Sequence, residues 1–138
     1  KVLYYLQGWF LGAYDIELFP ERPEAWVSGP IYTSVFKAFR HVDVTSPIRK
    51  PVSDTQVQLD KLSQNLGFEL NSNQQRFMRD LLDYYLSLPV EKLASMTHSE
   101  PPWQNARGEL LPFDQAKEPI SLHSLKAFFS KYADKVRV

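Results

Sequence analysis

The chain has 138 residues, which is long enough for a single domain with a substantial core, spanning residues 1–138. Its 16 basic and 16 acidic residues give a formal net charge of zero, which argues against a dedicated nucleic-acid binder because such proteins neutralise phosphates. It contains no cysteine, which excludes a disulfide framework and thiolate chemistry and favours a reducing compartment such as the cytoplasm.

The first fourteen residues contain only two strongly polar side chains, Lys1 and Gln7. Because apolar side chains point in every direction, this segment is predicted to be a helix buried at the centre of the protein. It would rise only about 21 Å, which is too short to cross a membrane. Gly8 and Gly12 share one helix face and predict a close contact with another element. No capping residue precedes the helix, so we expect the true N-terminus to lie upstream of Lys1.

A connector and a second helix are predicted next. Residues 15–26 contain two prolines, which disfavour a continuous helix. The order Gly29-Pro30 is typical of a helix start, since proline fits the first helical position. Apolar residues at four-residue steps then predict an amphipathic helix from Ile31 to His41.

Residues 41–54 are predicted to form a long loop, because they contain two prolines and little apolar periodicity. The alternation of Val42 and Val44 around an aspartate is also compatible with a short strand. Arg49 and Lys50 form a small basic spot in this loop. Long loops of this kind often carry function.

The second half of the chain predicts further helices. Apolar spacing indicates a helix over residues 55–66 that ends at Gly67. Ser72 and Gln75 match a capping box, and the apolar stripe after them predicts the most secure helix of this half. A short helix is expected after Pro89.

Residues 97–112 are predicted to be an irregular surface loop, because they contain several prolines and a glycine, with Trp103 holding the loop in place. Ser121 is expected to cap a final helix. The predicted fold is therefore all-α, a compact bundle of about five to six helices around the buried first helix. Proline-rich loops connect the helices, and a minor β-hairpin is compatible with the pattern.

The chemistry-bearing residues do not form a recognisable catalytic or metal-binding pattern. The three histidines lack the spacing of a helical zinc site, and no glycine-rich loop for phosphate follows a strand. We therefore expect no enzyme activity, no catalytic residues, no metal and no cofactor. His98 and Glu100, close to Trp103, form the one polar and aromatic cluster of interest. For His98 the favoured interpretation is a side chain that caps a helix end and hydrogen-bonds the loop, with a ligand or catalytic role and a partner contact as alternatives.

Three blocks of the sequence resemble a known family. They are LYYLQGW from Leu3 to Trp9, EAWVSGPIYTSVFKAF from Glu24 to Phe39, and THSEPPW from Thr97 to Trp103. Their order and spacing are similar to those of the Panacea domain, the SocA-like antitoxin domain that also occurs in prophages as the GepA-type phage-associated protein. Together the three blocks are specific, whereas any one of them alone would be weak.

The resemblance implies an all-helical antitoxin that binds and neutralises a protein toxin encoded nearby. It also implies a possible partnership with a cytosolic protease, to which an adaptor of this family would pass the toxin. No membrane partner is expected, and nucleic acid is not expected to bind this domain alone. The alternative function is a phage-associated DNA-binding or transcriptional regulator, and a hydrolase with a dispersed site is a third hypothesis.

The resemblance also divides the candidate site residues into two groups. The residues that match the family pattern are interpreted as scaffold: Tyr4, Tyr5, Gln7, Gly8, Trp9, Trp26, Gly29 and Pro30. The expected partner contacts lie in the predicted loops: Arg49, Lys50, His98, Glu100 and Trp103. The loop at residues 41–54 departs from the family pattern, so partner choice is expected to depend on it.

Overall fold

The computed structural model describes residues 1–34, 55–111, 113–115 and 117–136. These residues form six helices and one small sheet, which confirms the predicted bundle with a minor hairpin. The helices are α1 (Val2–Tyr14), α2 (Thr55–Leu66), α3 (Ser72–Leu86), α4 (Val90–His98), α5 (Pro101–Arg107) and α6 (Leu122–Val136). The strands are β1 (Glu24–Trp26), β2 (Gly29–Ile31) and β3 (Glu118–Pro119). None of the helices in the described ranges is long and apolar enough to cross a membrane.

Helix α1 lies at the centre of the protein, as its apolar sequence predicts. Most of its side chains are buried, and α6 and α3 pack against it. The one strongly polar residue inside the helix, Gln7, is completely buried. Its Nε2 donates to the carbonyl of Phe19 at 2.7 Å, and its Oε1 accepts from the amide of Leu18 at 2.6 Å. Gln7 therefore fixes the connector that follows α1 onto the core.

The two glycines of α1 meet α6 at Phe129, which confirms the close contact predicted from their spacing. We call this contact, formed by Gly8, Gly12 and Phe129, the glycine notch. A Cβ atom placed on Gly8 would lie 2.1 Å from Phe129 Cε2. A Cβ atom on Gly12 would lie 2.8 Å from the backbone carbonyl carbon of Phe129. Neither position therefore has room for a side chain unless α6 shifts.

The predicted helix start at Pro30 is wrong, because Gly29–Ile31 form β2 instead. This strand pairs antiparallel with β1, with Glu24 opposite Ile31 and Trp26 opposite Gly29. Gly29 has a φ of +124°, a conformation that side chains rarely permit and that suits the return of a tight hairpin. Strand β3 pairs with the other edge of β1. Helical conformation begins only at Thr33.

Several sequence predictions fall outside the described residues. They are the remainder of the helix predicted to reach His41, and the loop at 41–54 with its possible short strand. The candidate contacts Arg49 and Lys50 lie in that loop and are therefore also outside the described ranges.

The predicted irregular loop at 97–112 is wrong over most of its length. Helix α4 continues to His98, and Pro101 and Pro102 occupy the first turn of α5. Proline is tolerated there because the first amides of a helix have no partner within the helix. The two prolines therefore begin a helix here, whereas the prediction treated them as breakers.

Two helix caps were predicted, and one is displaced by a residue. The box at α3 uses Asn71 and Gln74 rather than Ser72 and Gln75, with both reciprocal hydrogen bonds present. At α6 the Ser121 hydroxyl accepts from the amide of Ser124 at 3.0 Å, which confirms that cap.

Candidate functional site

Glu100 joins the first and third sequence blocks through its carboxylate. Tyr4 and Tyr5, one turn into α1, donate their hydroxyls to Glu100 Oε1 and Oε2 at 2.9 and 2.8 Å. Both tyrosines are almost fully buried, whereas Glu100 is only half-buried at the start of α5. The carboxylate therefore links the N-terminal end of α1 to the junction of α4 and α5, with part of the residue in contact with solvent.

An aromatic cluster from α3 continues this arrangement. The rings of Tyr5 and Tyr85 stack with their centroids 4.2 Å apart and their planes 10° apart. Trp9 donates its indole N–H to the Tyr85 hydroxyl at 2.7 Å. The ring of Tyr84 packs edge-on to Tyr85 at 5.0 Å and is 55% exposed. We call Tyr5, Tyr84, Tyr85 and Glu100 the tyrosine–glutamate cluster.

Burial dominates the electrostatics of this cluster. It raises the pKa of the Glu100 carboxyl, while the hydrogen bonds from Tyr5 and Tyr4 act in the opposite direction and offset part of the effect. The pKa of Tyr5 is raised by burial first and then by the neighbouring Glu100 charge. Burial also raises the pKa of Tyr85, to about 12. The phenols therefore remain protonated near neutral pH and act as hydrogen-bond donors.

The second and third sequence blocks meet at the β1–β2 hairpin. Trp103 donates its indole N–H to the carbonyl of Trp26 at 2.8 Å. A Cβ atom on Gly29 would lie 3.0 Å from the hydroxyl of Thr97, which is fully buried on α4. The hairpin therefore rests directly on α4 and α5, and the absence of a side chain at Gly29 permits this approach.

Arg107 completes this junction, although the sequence analysis did not single it out. It is 4% exposed, and its guanidinium donates to the carbonyls of Ala25 at 3.2 Å and Leu111 at 2.8 Å. It also lies over the ring of Trp103, with 5.6 Å between Cζ and the ring centroid. The available signal was its position four residues after Trp103, which puts both on one face of a helix. That signal was lost because α5 was predicted to be a loop.

His98 does not act as the helix cap that the sequence favoured. Its ring packs on Trp103 at 4.4 Å between centroids, and its Nε2 is buried without a hydrogen-bond partner in the described part of the chain. Its backbone carbonyl, rather than its side chain, accepts from Gln104 at 3.1 Å. No group of three or more His, Cys, Asp or Glu side chains within the described ranges could hold a metal ion.

The structure brings most of the candidate residues together but divides their roles. Glu100 contacts Tyr4 and Tyr5, while His98 and Trp103 lie on the hairpin side of the same junction. Gln7 and Gly8 make other core contacts, Gln7 with the backbone of Leu18 and Phe19 and Gly8 with the ring of Phe129. Tyr84 and Tyr85 were missed as site residues, because their apolar stripe was interpreted only as the buried face of α3.

The comparison with known families matches the same three blocks. The family model described as Antitoxin SocA-like, Panacea domain, matches residues 1–104. These residues extend from the start of α1 into α5 and include all three sequence blocks on which the resemblance rests. The match therefore confirms the resemblance. No curated protein and no solved structure shows significant similarity to the chain. Because the match covers well over half of its residues, the chain belongs to the family of SocA-like antitoxins that contain the Panacea domain.

Proposed function

We propose that this protein is the antitoxin of a toxin–antitoxin system and that it binds and neutralises a protein toxin encoded beside it. The observation that carries this proposal is the family match over residues 1–104. In this proposal both proteins act in the cytoplasm, and the pair belongs to a phage-associated locus. The antitoxin either blocks the toxin directly or delivers it to a cytosolic protease.

The chemistry of the described site supports a binding role. The junction around Glu100 contains several aromatic side chains, and His98 and Trp103 are partly exposed there. Aromatic residues are enriched at protein interfaces. We propose that Glu100, His98 and Trp103 contribute to the toxin contact. Arg49 and Lys50 remain proposed contacts from their sequence positions alone.

Expression of the neighbouring gene, alone and together with this chain, tests the proposed function. We expect growth arrest with the neighbour alone, rescue by this chain, and co-purification of the two proteins. A neighbour that does not affect growth, together with the absence of a complex, would contradict the proposal. Rescue without co-purification would instead indicate repression or degradation, and repeating the experiment in a protease-deficient strain separates these two mechanisms.

Alanine variants test the proposed contact residues. Each of the five residues is replaced singly, folding is confirmed by circular dichroism, and affinity for the toxin is measured by calorimetry. Lys131→Ala on the exposed side of α6 is the matched control for loss of a surface charge. Unchanged affinity for all five variants would rule out the proposed contact set. The proposed contacts are Arg49, Lys50, His98, Glu100 and Trp103.

A further inference from the structure

An open cavity lies where α2, the turn at residues 67–71 and α3 meet, and it shares no residue with the tyrosine–glutamate cluster. We call it the α2–α3 pocket. Its volume is about 330 Å³, in the lower part of the range for ligand pockets. Leu59 of α2 and Phe68 of the turn line it and are 1% and 9% exposed, so its floor is apolar and belongs to the core. The pocket therefore has room for a side chain and an apolar surface for it to contact.

The rim of the α2–α3 pocket is acidic. Asp60 on α2 and Glu69 in the turn both line it and are both exposed, and no lysine, arginine or histidine is among its described lining residues. Within the part of the chain that the structure describes, neither carboxylate forms an ion pair. Charged groups of one sign that line a cleft attract ligands of the opposite sign. The pocket therefore disfavours an anion and favours a cation.

Hydrogen bonds fix the walls of the pocket. The amides of Gly67 and Phe68 both donate to the Ser63 carbonyl, at 2.8 and 3.2 Å, which folds the turn back against the end of α2. On the other wall Gln75 Nε2 donates to the carbonyl of Leu70 at 3.3 Å, which ties the turn to α3. The pocket is therefore formed before any ligand arrives, and such preorganisation reduces the entropy that binding would otherwise cost.

An apolar floor below an acidic rim fits a long basic side chain. Lysine and arginine place their aliphatic stems on apolar surface and keep their charged heads at a polar edge. A metal ion would find too few ligands, because the described residues contain no group of three or more metal-binding side chains. A purely apolar side chain would make no use of the two carboxylates. Only a side chain that is both aliphatic and cationic uses the floor and the rim together.

We propose that the α2–α3 pocket binds a lysine or arginine side chain of the protein partner. This inference rests on the proposed function for the identity of the partner, but its chemistry can be tested without the toxin. The aliphatic stem of the basic side chain contacts Leu59 and Phe68 on the floor of the pocket. Its charged head is received by the carboxylates of Asp60 and Glu69 at the rim.

A small-molecule titration tests the chemistry directly. Butylammonium and propylguanidinium, which reproduce the two side chains, are added separately to the whole chain, and the backbone amide resonances of residues 68–70 are followed by NMR. We expect saturable shifts with a dissociation constant on the order of 10 mM, as suits a ligand of so few atoms. The neutral molecule 1-butanol should give no saturable shift, and the tighter of the two cations identifies the preferred side chain. Failure of both cations to saturate, or equal binding of 1-butanol, would overturn the inference.

Charge-removing variants show whether the rim carries the binding. Asp60→Asn and Glu69→Gln should each weaken binding of the preferred cation by about two- to fivefold, as loss of one exposed ion pair predicts. Asp80→Asn removes an exposed carboxylate of α3 that does not line the pocket, so it should leave the affinity unchanged. Unchanged affinity in the double variant Asp60→Asn/Glu69→Gln, or an equal loss in Asp80→Asn, would contradict the inference.

The toxin complex gives a second test, and the two proposals fail in distinguishable ways. The double variant should weaken toxin binding by about tenfold and make the affinity less dependent on salt. A toxin complex that is insensitive to this variant would contradict the inference while the antitoxin function stands. Saturable binding of a cation without any toxin complex would support the pocket and contradict the antitoxin function. Thermal unfolding confirms that each variant is folded, and if the double variant does not fold, Glu69→Gln decides the inference by the same titration.

Discussion

Replacing Gly8 by alanine adds one methyl group at a point where α1 and α6 are in contact. The new Cβ atom would lie within 2.6 Å of three ring atoms of Phe129, a residue that is 1% exposed. That ring is surrounded by Tyr4, Tyr5 and Trp9 and has little freedom to move. We therefore expect the α1–α6 packing to be strained in Gly8→Ala.

The size of the effect follows from two opposing terms. Overpacking in a well-packed core typically costs about 1–3 kcal/mol. Replacing glycine by alanine inside a helix stabilises the folded state by about 0.5–1 kcal/mol, because alanine loses less conformational entropy on folding. Because the nearest ring atom would be only 2.1 Å away, the cost should lie in the upper part of its range, about 2–3 kcal/mol. The net loss in free energy of unfolding should therefore be about 1–2.5 kcal/mol, or a fall in Tm of roughly 3–9 °C for a domain of this size. Urea and thermal unfolding followed by circular dichroism measure it.

A double-mutant cycle makes the test specific to the glycine notch. Phe129→Leu removes the ring atoms that meet the new methyl group at Gly8, so it should reduce the cost of Gly8→Ala. The same substitution should not rescue Gly12→Ala, because there the clash is with the backbone of Phe129. Unchanged stability of Gly8→Ala, or equal rescue of both alanine variants by Phe129→Leu, would refute this account of the packing.

Three further predictions concern the buried polar groups. Burial raises the pKa of Glu100 above its ordinary value, so the folded state binds more protons than the unfolded state. The contribution of Glu100 to stability therefore falls as the pH rises from about 4.5 through the pKa of the folded state. The Tm of Glu100→Gln minus that of wild type should therefore increase over this pH range. A Tm difference that does not change with pH would contradict the prediction. Gln7→Leu leaves the buried amide of Leu18 without its acceptor and removes one of two donors to the Phe19 carbonyl, which the amide of Glu21 still bonds. It should therefore lower the free energy of unfolding in urea by about 1–3 kcal/mol, with unchanged stability as the contrary result. In Arg107→Lys the ammonium group cannot reach both carbonyls, so the free energy of unfolding should fall by about 1–2 kcal/mol. Unchanged stability would show that the two guanidinium hydrogen bonds are dispensable.

The central helix and its notch could be predicted because their causes are local. An apolar surface on every side of α1 requires burial, and two glycines on one face require a close neighbour. The identity of that neighbour could not be predicted, since Phe129 is far from Gly8 in the chain. The cap at Ser121 was equally local and was predicted correctly.

The positions of the β1–β2 hairpin and of α5 could not be identified from the same kind of signal. Gly29-Pro30 is compatible with a helix start, and only the pairing with β1, together with the support of Thr97, selects a strand. Pro101 and Pro102 are equally compatible with a loop or with the first turn of a helix. Local patterns of this kind leave two conformations open, and tertiary contacts decide between them.

The candidate site could be predicted only in part, because its grouping also depends on tertiary contacts. Glu100 was identified because it lies in a polar and aromatic block, but its tyrosine partners come from α1. Tyr84 and Tyr85 are adjacent in the sequence and differ in exposure, which apolar periodicity alone does not resolve. The grouping of these residues depends on how α1 and α3 pack, and the sequence pattern does not specify that arrangement.

The contact of α1 with α6 also affects how the protein is made on the ribosome. Helix α1 is synthesised well before Phe129, the residue that fills its notch, because Phe129 belongs to the helix that follows β3. At typical rates of translation the apolar surface of α1 would wait roughly ten seconds for that partner. During this interval the nascent chain exposes a surface suited to chaperones or proteases. The amount of native protein in a cell would therefore respond to the supply of those factors as well as to the rate of synthesis.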